Sequence, residues 1–156
     1  MSTKVAAALS SSLGERRFAG KLSDDYPLWR LARPFLDEVH EAFAKELRGF
    51  TKGRSGPLRV IDIGMGMGDG AITKILLQDA KLDVTGIDNE PKMIEQARKA
   101  LRASIASGGL TVALDDALHY LAALPQASLD IVASGYVLHN LTANYRERLL
   151  TRFGAC

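Results

Sequence analysis

The chain has 156 residues, 47% of them hydrophobic and 24% charged, with one cysteine and a formal net charge of +2. That length fits one domain with its own core, since domains run about 100–200 residues and one this size hides about 68–70% of its unfolded surface. The composition excludes collagen-like, disordered and disulfide-rich secreted classes, and so mild a charge gives no ground for a nucleic acid or membrane partner.

Residues 1–22 are small and polar without a sustained period, and read as a flexible lead or short helical arm. The apolar run Val5-Ala6-Ala7-Ala8-Leu9 is too short for a signal peptide, and no stretch nears the ~20 apolar residues of a membrane span. Cys156 has no partner for an intrachain disulfide, so the cytosol is the expected compartment. Further on, Leu28, Ala32, Phe35, Val39, Phe43 and Leu47 recur at three- and four-residue steps and predict one apolar helical face. Pro27 and Pro34 divide that pattern into a short helix and a longer one starting at Pro34, and a loop follows from Thr51 to Pro57.

From Leu58 the chain alternates. Strands are expected at Leu58–Ile63, Leu82–Ile87, Leu110–Leu114 and Leu129–Ala133. Between them, helices are expected at Ala71–Leu77, from Pro91 to about Ala106, and around Leu118, Leu121 and Leu124. Thr142 is an N-cap candidate for a last helix carrying Tyr145, Leu149 and Phe153 on one side. Apolar strands alternating with helices predict an α/β fold, with a parallel sheet covered on both faces.

The stretch Val60-Ile61-Asp62-Ile63-Gly64-Met65-Gly66-Met67-Gly68-Asp69-Gly70 puts four glycines between a buried strand and a helix. Without a Cβ, such a turn can bend tightly and admit a ligand against its main chain, although glycines also serve close packing alone. Asp88 follows Gly68 by 20 residues and ends the next strand. An acid about 20 residues past such a turn can accept hydrogen bonds from ribose hydroxyls, at the strand ends where open α/β sheets bind ligands. Its rival role is to cap the helix at Pro91, for which Asn89 or Glu90 stands better placed. Gly66-Met67-Gly68-Asp69-Gly70-Ala71 satisfies the looser dinucleotide fingerprint, which keeps an NAD-dependent enzyme as an alternative. Against it, Asp62 would meet a pyrophosphate unfavourably but would suit an ammonium group, so a ligand with a ribose and a cationic amino acid end fits better.

Asp62-Ile63-Gly64-Met65-Gly66-Met67-Gly68 resembles motif I of class I S-adenosylmethionine-dependent methyltransferases. Gly86-Ile87-Asp88-Asn89-Glu90-Pro91-Lys92-Met93-Ile94 is similar to the second motif, and Leu114-Asp115-Asp116-Ala117 to the third. Leu129 to Ser134, followed by Tyr136-Val137-Leu138-His139-Asn140-Leu141, resembles the fourth. The resemblance implies S-adenosylmethionine as cofactor and a Rossmann-like domain over residues 57–156, preceded by an N-terminal arm and helical lid segment over 1–56. It implies that the turn (Asp62, Gly64, Met65, Gly66, Gly68) lies against the methionine and ribose, with Asp88 holding the ribose hydroxyls. Asn89 and Met93 would line the adenine, Asp116 and the Ala117 backbone would read its edge, and Ser134 would also bind the cofactor. Asp115 rivals Asp116 by one residue of register.

Members of that family have seven strands ordered 3-2-1-4-5-7-6, and this sequence supplies four, in the order 3-2-1-4. The fourth strand is therefore expected to offer an uncovered edge, open to a second copy or a completing chain. The implied activity is methyl transfer to an acceptor, with a non-catalytic or partner-completed S-adenosylmethionine- or nucleotide-binding domain as the alternative. A small-molecule acceptor is favoured because no basic patch stands out, with RNA and protein left open. No catalytic residue is assigned. His139 is a candidate base beyond the fourth strand, or simply a capping or packing residue. Tyr26, Trp29 and Arg30 could cover a sulfonium by cation–π attraction, or anchor the N-terminal helix instead. No histidine or cysteine spacing supports a metal site.

Overall fold

Strand periodicity assigns the two faces of the sheet before any helix is placed. The computed structural model describes residues 35–68 and 71–154. Its first strand, β1 (Leu58–Ile63), sends Leu58 and Val60 into one apolar layer and Ile61 and Ile63 into the other, all four buried. With β2 (Leu82–Asp88), β3 (Leu110–Leu114) and β4 (Ile131–Ala133) it forms one parallel sheet in the order β3-β2-β1-β4. Parallel strands need crossovers, and the intervening helices cover both faces as buried apolar strands require.

On the first face, Val60, Val84, Leu110 and Ala133 pack against α1 (Leu36–Thr51), α2 (Ala71–Leu76) and α3 (Pro91–Ala100) through Leu47, Leu76, Ile94 and Ala97. The short α4 (Arg102–Ala106) continues from α3. On the second face, Ile61, Ile63 and Ile87 meet Leu121 of α5 (Ala117–Ala123) and Leu149 of α6 (Ala143–Phe153). Each fully buried Leu or Ile contributes about 1.5–3 kcal/mol, so both layers hold the sheet. Thr142 caps α6 by accepting from the Tyr145 N–H at 3.3 Å, as its sequence position predicts.

Four expectations need correction. The helix expected from Pro91 to Ala106 breaks at Leu101 (φ −108°, ψ 22°), whose side chain is buried in the first layer beside the glycine turn. The helix expected from Pro34 begins at Leu36, because Phe35 adopts a left-handed conformation (φ 61°). Its predicted apolar face is only half used: Phe35 and Val39 are 70% and 49% exposed, while Phe43 and Leu47 reach the core. The helix meets the sheet at its C-terminal end, where the Thr51 carbonyl accepts from Lys81 Nζ at 3.0 Å. The fourth strand is shorter than expected, yet Asp130 extends its pairing by donating its N–H to the Arg59 carbonyl at 2.9 Å.

The short helix before Pro34, Tyr26, Trp29, Arg30, Asp69, Gly70 and Cys156 lie outside the described residues. Among the described residues, no helix is long and apolar enough to cross a membrane.

Candidate cofactor site

Where β1 ends, the chain bends toward β2: the N–H groups of Gly64 and Met65 both donate to the Ile87 carbonyl, at 2.8 and 3.0 Å. Gly64, Gly66 and Gly68 all have positive φ, at 70°, 61° and 70°. Their surroundings separate them. A Cβ on Gly68 would stand 2.5 Å from Leu101 Cδ1, and one on Gly64 would collide with Val137 Cγ2, whereas a Cβ on Gly66 would meet nothing within 4 Å. Two of the three glycines therefore serve packing, and Gly66 presents an open face of main chain at the strand ends.

Asp88 fastens that face. Its Oδ2 accepts the Gly66 N–H at 3.0 Å and its Oδ1 accepts the Glu90 N–H at 2.9 Å. The Asn89 N–H also bonds this carboxylate, which leaves one of its four acceptor sites for a hydroxyl. The capping alternative for Asp88 goes to Glu90, the N-cap of α3, whose carboxylate accepts the Lys92 N–H at 3.3 Å. Burial raises the Asp88 carboxyl above its usual range, against the lowering effect of its backbone hydrogen bonds.

Asp62 is the unusual group. Strand alternation turns it toward α2, where it is 2% exposed and its Oδ2 accepts from the Thr73 hydroxyl at 2.6 Å. Burial pushes its carboxyl up to about 7; the Thr73 bond lowers it, and the neighbouring Asp88 raises it further. The ends of β1 and β2 thus hold two desolvated carboxylates, and the charge of Asp88 adds to the cost of ionising Asp62.

The remaining predicted residues spread around this pair. Met65 is buried and lies over Gly86, where a Cβ would strike its sulfur. Asn89 is half-buried beside Asp88, and Met93 is buried in α3. Ser134 donates to the Ile63 carbonyl at 3.3 Å and joins β4 to the end of β1. Ala117 opens α5 and is half-buried. Asp116 is buried and engaged through both oxygens: Oδ1 caps α5 by accepting the His119 N–H at 3.1 Å, and Oδ2 accepts the Tyr145 hydroxyl at 2.6 Å. Asp115 is half-buried; its Oδ1 accepts the Asp116 N–H at 2.7 Å and lies 2.8 Å from His119 Nδ1. The Asp115 N–H in turn donates to the Asp88 carbonyl at 3.1 Å, which joins this acidic pair to the strand end.

His139 sits exposed on a single turn of 3₁₀ helix, Leu138–Asn140. Among the described residues, no group of histidine, cysteine or acidic side chains is placed to hold a metal. Sequence reasoning missed Thr73 and Tyr145, whose hydroxyls hold Asp62 and Asp116, because neither contact has a local signal.

The family model described as "Methyltransferase domain" matches residues 62–153. No curated protein matches the sequence. A protein from Methanococcus maripaludis, proposed to be an S-adenosyl-L-methionine-dependent methyltransferase, superimposes with a TM-score of 0.64 at 16% identity over 89% of this chain and 60% of its own. An S-adenosylmethionine-dependent methyltransferase from Aquifex aeolicus gives 0.59 at 19% identity, over 83% of this chain and 65% of its own. A Haemonchus contortus phosphoethanolamine N-methyltransferase, in complex with phosphomonomethylethanolamine and S-adenosylhomocysteine, gives 0.55 at 26% identity, over 69% and 23%. The chain therefore spans less than two thirds of each of these structures. The first two likenesses show a shared fold, and the family match, which covers more than half of the sequence, shows descent: the chain belongs to the class I S-adenosylmethionine-dependent methyltransferase domain family.

Proposed function

We propose that this domain binds S-adenosylmethionine across the ends of β1 and β2 and serves methyl transfer to a small-molecule acceptor. One observation carries the reading: a buried carboxylate at Asp62 and a backbone-fastened carboxylate at Asp88 flank the open main chain of Gly66. That donor set fits the cofactor. Asp62 suits an ammonium group, because a desolvated carboxylate gains most from a cationic partner. Asp88 suits the ribose hydroxyls, and Gly66 leaves room between them. By family resemblance, Asn89, Met93, Asp116 and Ala117 take the adenine side, and Ser134 also contacts the cofactor.

When bound, the cofactor supplies a methyl group already activated on a sulfonium. The protein then has to align an acceptor and keep water out, and such positioning can contribute about 7–11 kcal/mol. A small-molecule acceptor accords with the phosphomonomethylethanolamine bound by the Haemonchus contortus enzyme and with the mild charge of this chain. We place the protein in the cytosol, where its single cysteine stays reduced.

Calorimetric titration with S-adenosylmethionine, S-adenosylhomocysteine and NADH tests the reading. Micromolar binding of the two sulfur compounds is expected; binding of NADH alone would sink it and restore the NAD-dependent alternative. A second reading, a cofactor-binding domain completed by another chain, is favoured by the pairing of β4 with β1 alone among the described strands. Binding without turnover, together with self-association in sedimentation, would favour that second reading.

A further inference from the structure

We propose that Thr73 is the positioning residue for Asp62, its hydroxyl holding that carboxylate in the rotamer and charge state that receive the cationic end of the ligand. The inference rests on the cofactor reading above and adds a residue to it from α2.

The geometry is specific. Thr73 is 1% exposed, so its hydroxyl must find a partner inside the protein. A helical threonine commonly satisfies that need by bonding back to its own preceding turn. Here the hydroxyl reaches out of α2 to the sheet and donates to Asp62 Oδ2 at 2.6 Å, a short bond of the charge-assisted kind. The lateral neighbours of Asp62 in the sheet are Gly86 on β2 and Ala133 on β4, and neither has a polar side chain to take over. The titratable group that acts on Asp62 is Asp88 of β2, whose charge opposes ionisation, so α2 answers a repulsion that the sheet itself creates.

A core position needing only volume would accept valine, which has the same shape. The hydroxyl instead stabilises the carboxylate over the carboxylic acid, and an ammonium group binds the carboxylate. Loss of the hydroxyl leaves Asp62 with burial and Asp88 both favouring the acid. Ligand binding near neutral pH then carries the cost of removing a proton, and that cost vanishes once the pH exceeds the raised value.

The test is the pH dependence of S-adenosylhomocysteine affinity, from about pH 6 to about pH 9, in wild type, Thr73→Val and Thr73→Ser. With Thr73→Val, affinity is expected to fall about tenfold near pH 7, equivalent to about 1.4 kcal/mol, and to recover toward wild type at the alkaline end. Thr73→Ser, which retains the donor, is expected to stay within about threefold of wild type throughout. If Thr73→Val shows no cooperative thermal transition, Thr73→Ala takes its place with the same expectation. Wild-type affinity at every pH in the variant lacking the hydroxyl would overturn the proposal, as would a deficit of equal size at every pH, which marks packing alone. If wild type itself fails to bind at any pH, the cofactor reading fails first; if it binds and only the variants contradict expectation, the role of Thr73 alone is lost.

Discussion

Replacing Asp62 with asparagine should stabilise the ligand-free protein at alkaline pH and cripple ligand binding at the same time. In the unfolded chain this carboxyl ionises around 3.8, whereas burial in the folded protein pushes it up to about 7. As pH rises between those values, the unfolded state gives up its proton first, so the folded state loses stability across that window. Above it the loss amounts to about 4 kcal/mol, at about 1.4 kcal/mol for each tenfold change in acidity. An amide has no charge to bury and still accepts from the Thr73 hydroxyl, but its added N–H donors, left unpaired, cost about 1–3 kcal/mol. Asp62→Asn should therefore gain about 1–3 kcal/mol near pH 8, while near pH 5, where most of the burial cost has yet to develop, it should gain nothing or lose slightly. Urea unfolding of both proteins without ligand, at the two pH values, measures the difference; the change in the substitution's effect should be about 2–3 kcal/mol. An effect of equal size at both pH values would refute the reasoning, because it would mean that Asp62 ionises in the folded protein as it does in water. On the ligand side, the same variant should bind S-adenosylhomocysteine at least tenfold more weakly, about 1.4 kcal/mol.

The glycines should separate by the same two measurements. Gly68→Ala combines a left-handed φ of 70° with a Cβ 2.5 Å from Leu101 Cδ1, and should cost more stability than Gly66→Ala, where φ is 61° and the space is open. The excess is the overpacking cost of about 1–3 kcal/mol by urea unfolding. Gly66→Ala should instead weaken S-adenosylhomocysteine binding at least tenfold, about 1.4 kcal/mol, and equal stability losses at the two positions would contradict the assignment of packing to one and access to the other. Asp88→Ala should weaken the same binding by at least tenfold in calorimetry, and unchanged affinity would remove its ribose role. Tyr145→Phe strips a partner from buried Asp116 Oδ2 and from the Leu118 N–H, and should destabilise by about 1–3 kcal/mol in urea unfolding. A change within about 0.5 kcal/mol would show that these groups find other partners.

The fold was legible where local rules act without competition. Leu58–Ile63 and Leu110–Leu114 have the strand boundaries their apolar runs predict, and Thr142 caps the last helix through a contact three residues away. Leu101 was illegible because its helical period continues unbroken from Ile94 and Ala97. What interrupts the helix there is a tertiary fact: the side chain packs beside Gly68, more than thirty residues earlier in the chain. The exposure of Phe35 and Val39 has a similar cause. Periodicity reports that a helix has an apolar face, but not how much of its length meets the sheet.

The candidate site divides along the same line. Gly66 and Asp88 could be paired from spacing, since a strand, a crossover and a second parallel strand return the chain to the same edge, and their hydrogen bond spans 22 residues of ordinary βαβ geometry. Asp116 could be placed at the end of β3 by the same reasoning, but not its ties to Tyr145, which depend on how α6 docks against α5. The consequence is chemical. A carboxylate that caps a helix and accepts a tyrosine hydroxyl has its orientation set by two elements, so a change anywhere along the α5–α6 contact reaches it. Asp62 and Asp88 sit instead on adjacent strands whose register is set by the sheet, and their separation cannot relax to relieve the repulsion between them. Burial, with that repulsion added to it, raises the Asp62 carboxyl, so a cation bound there would release a proton as it binds near neutral pH. Calorimetry of S-adenosylhomocysteine binding in buffers of different ionisation enthalpy, near pH 6.5, should accordingly show net proton release that Asp62→Asn abolishes; binding without proton exchange in the wild type would place the cationic end of the ligand elsewhere.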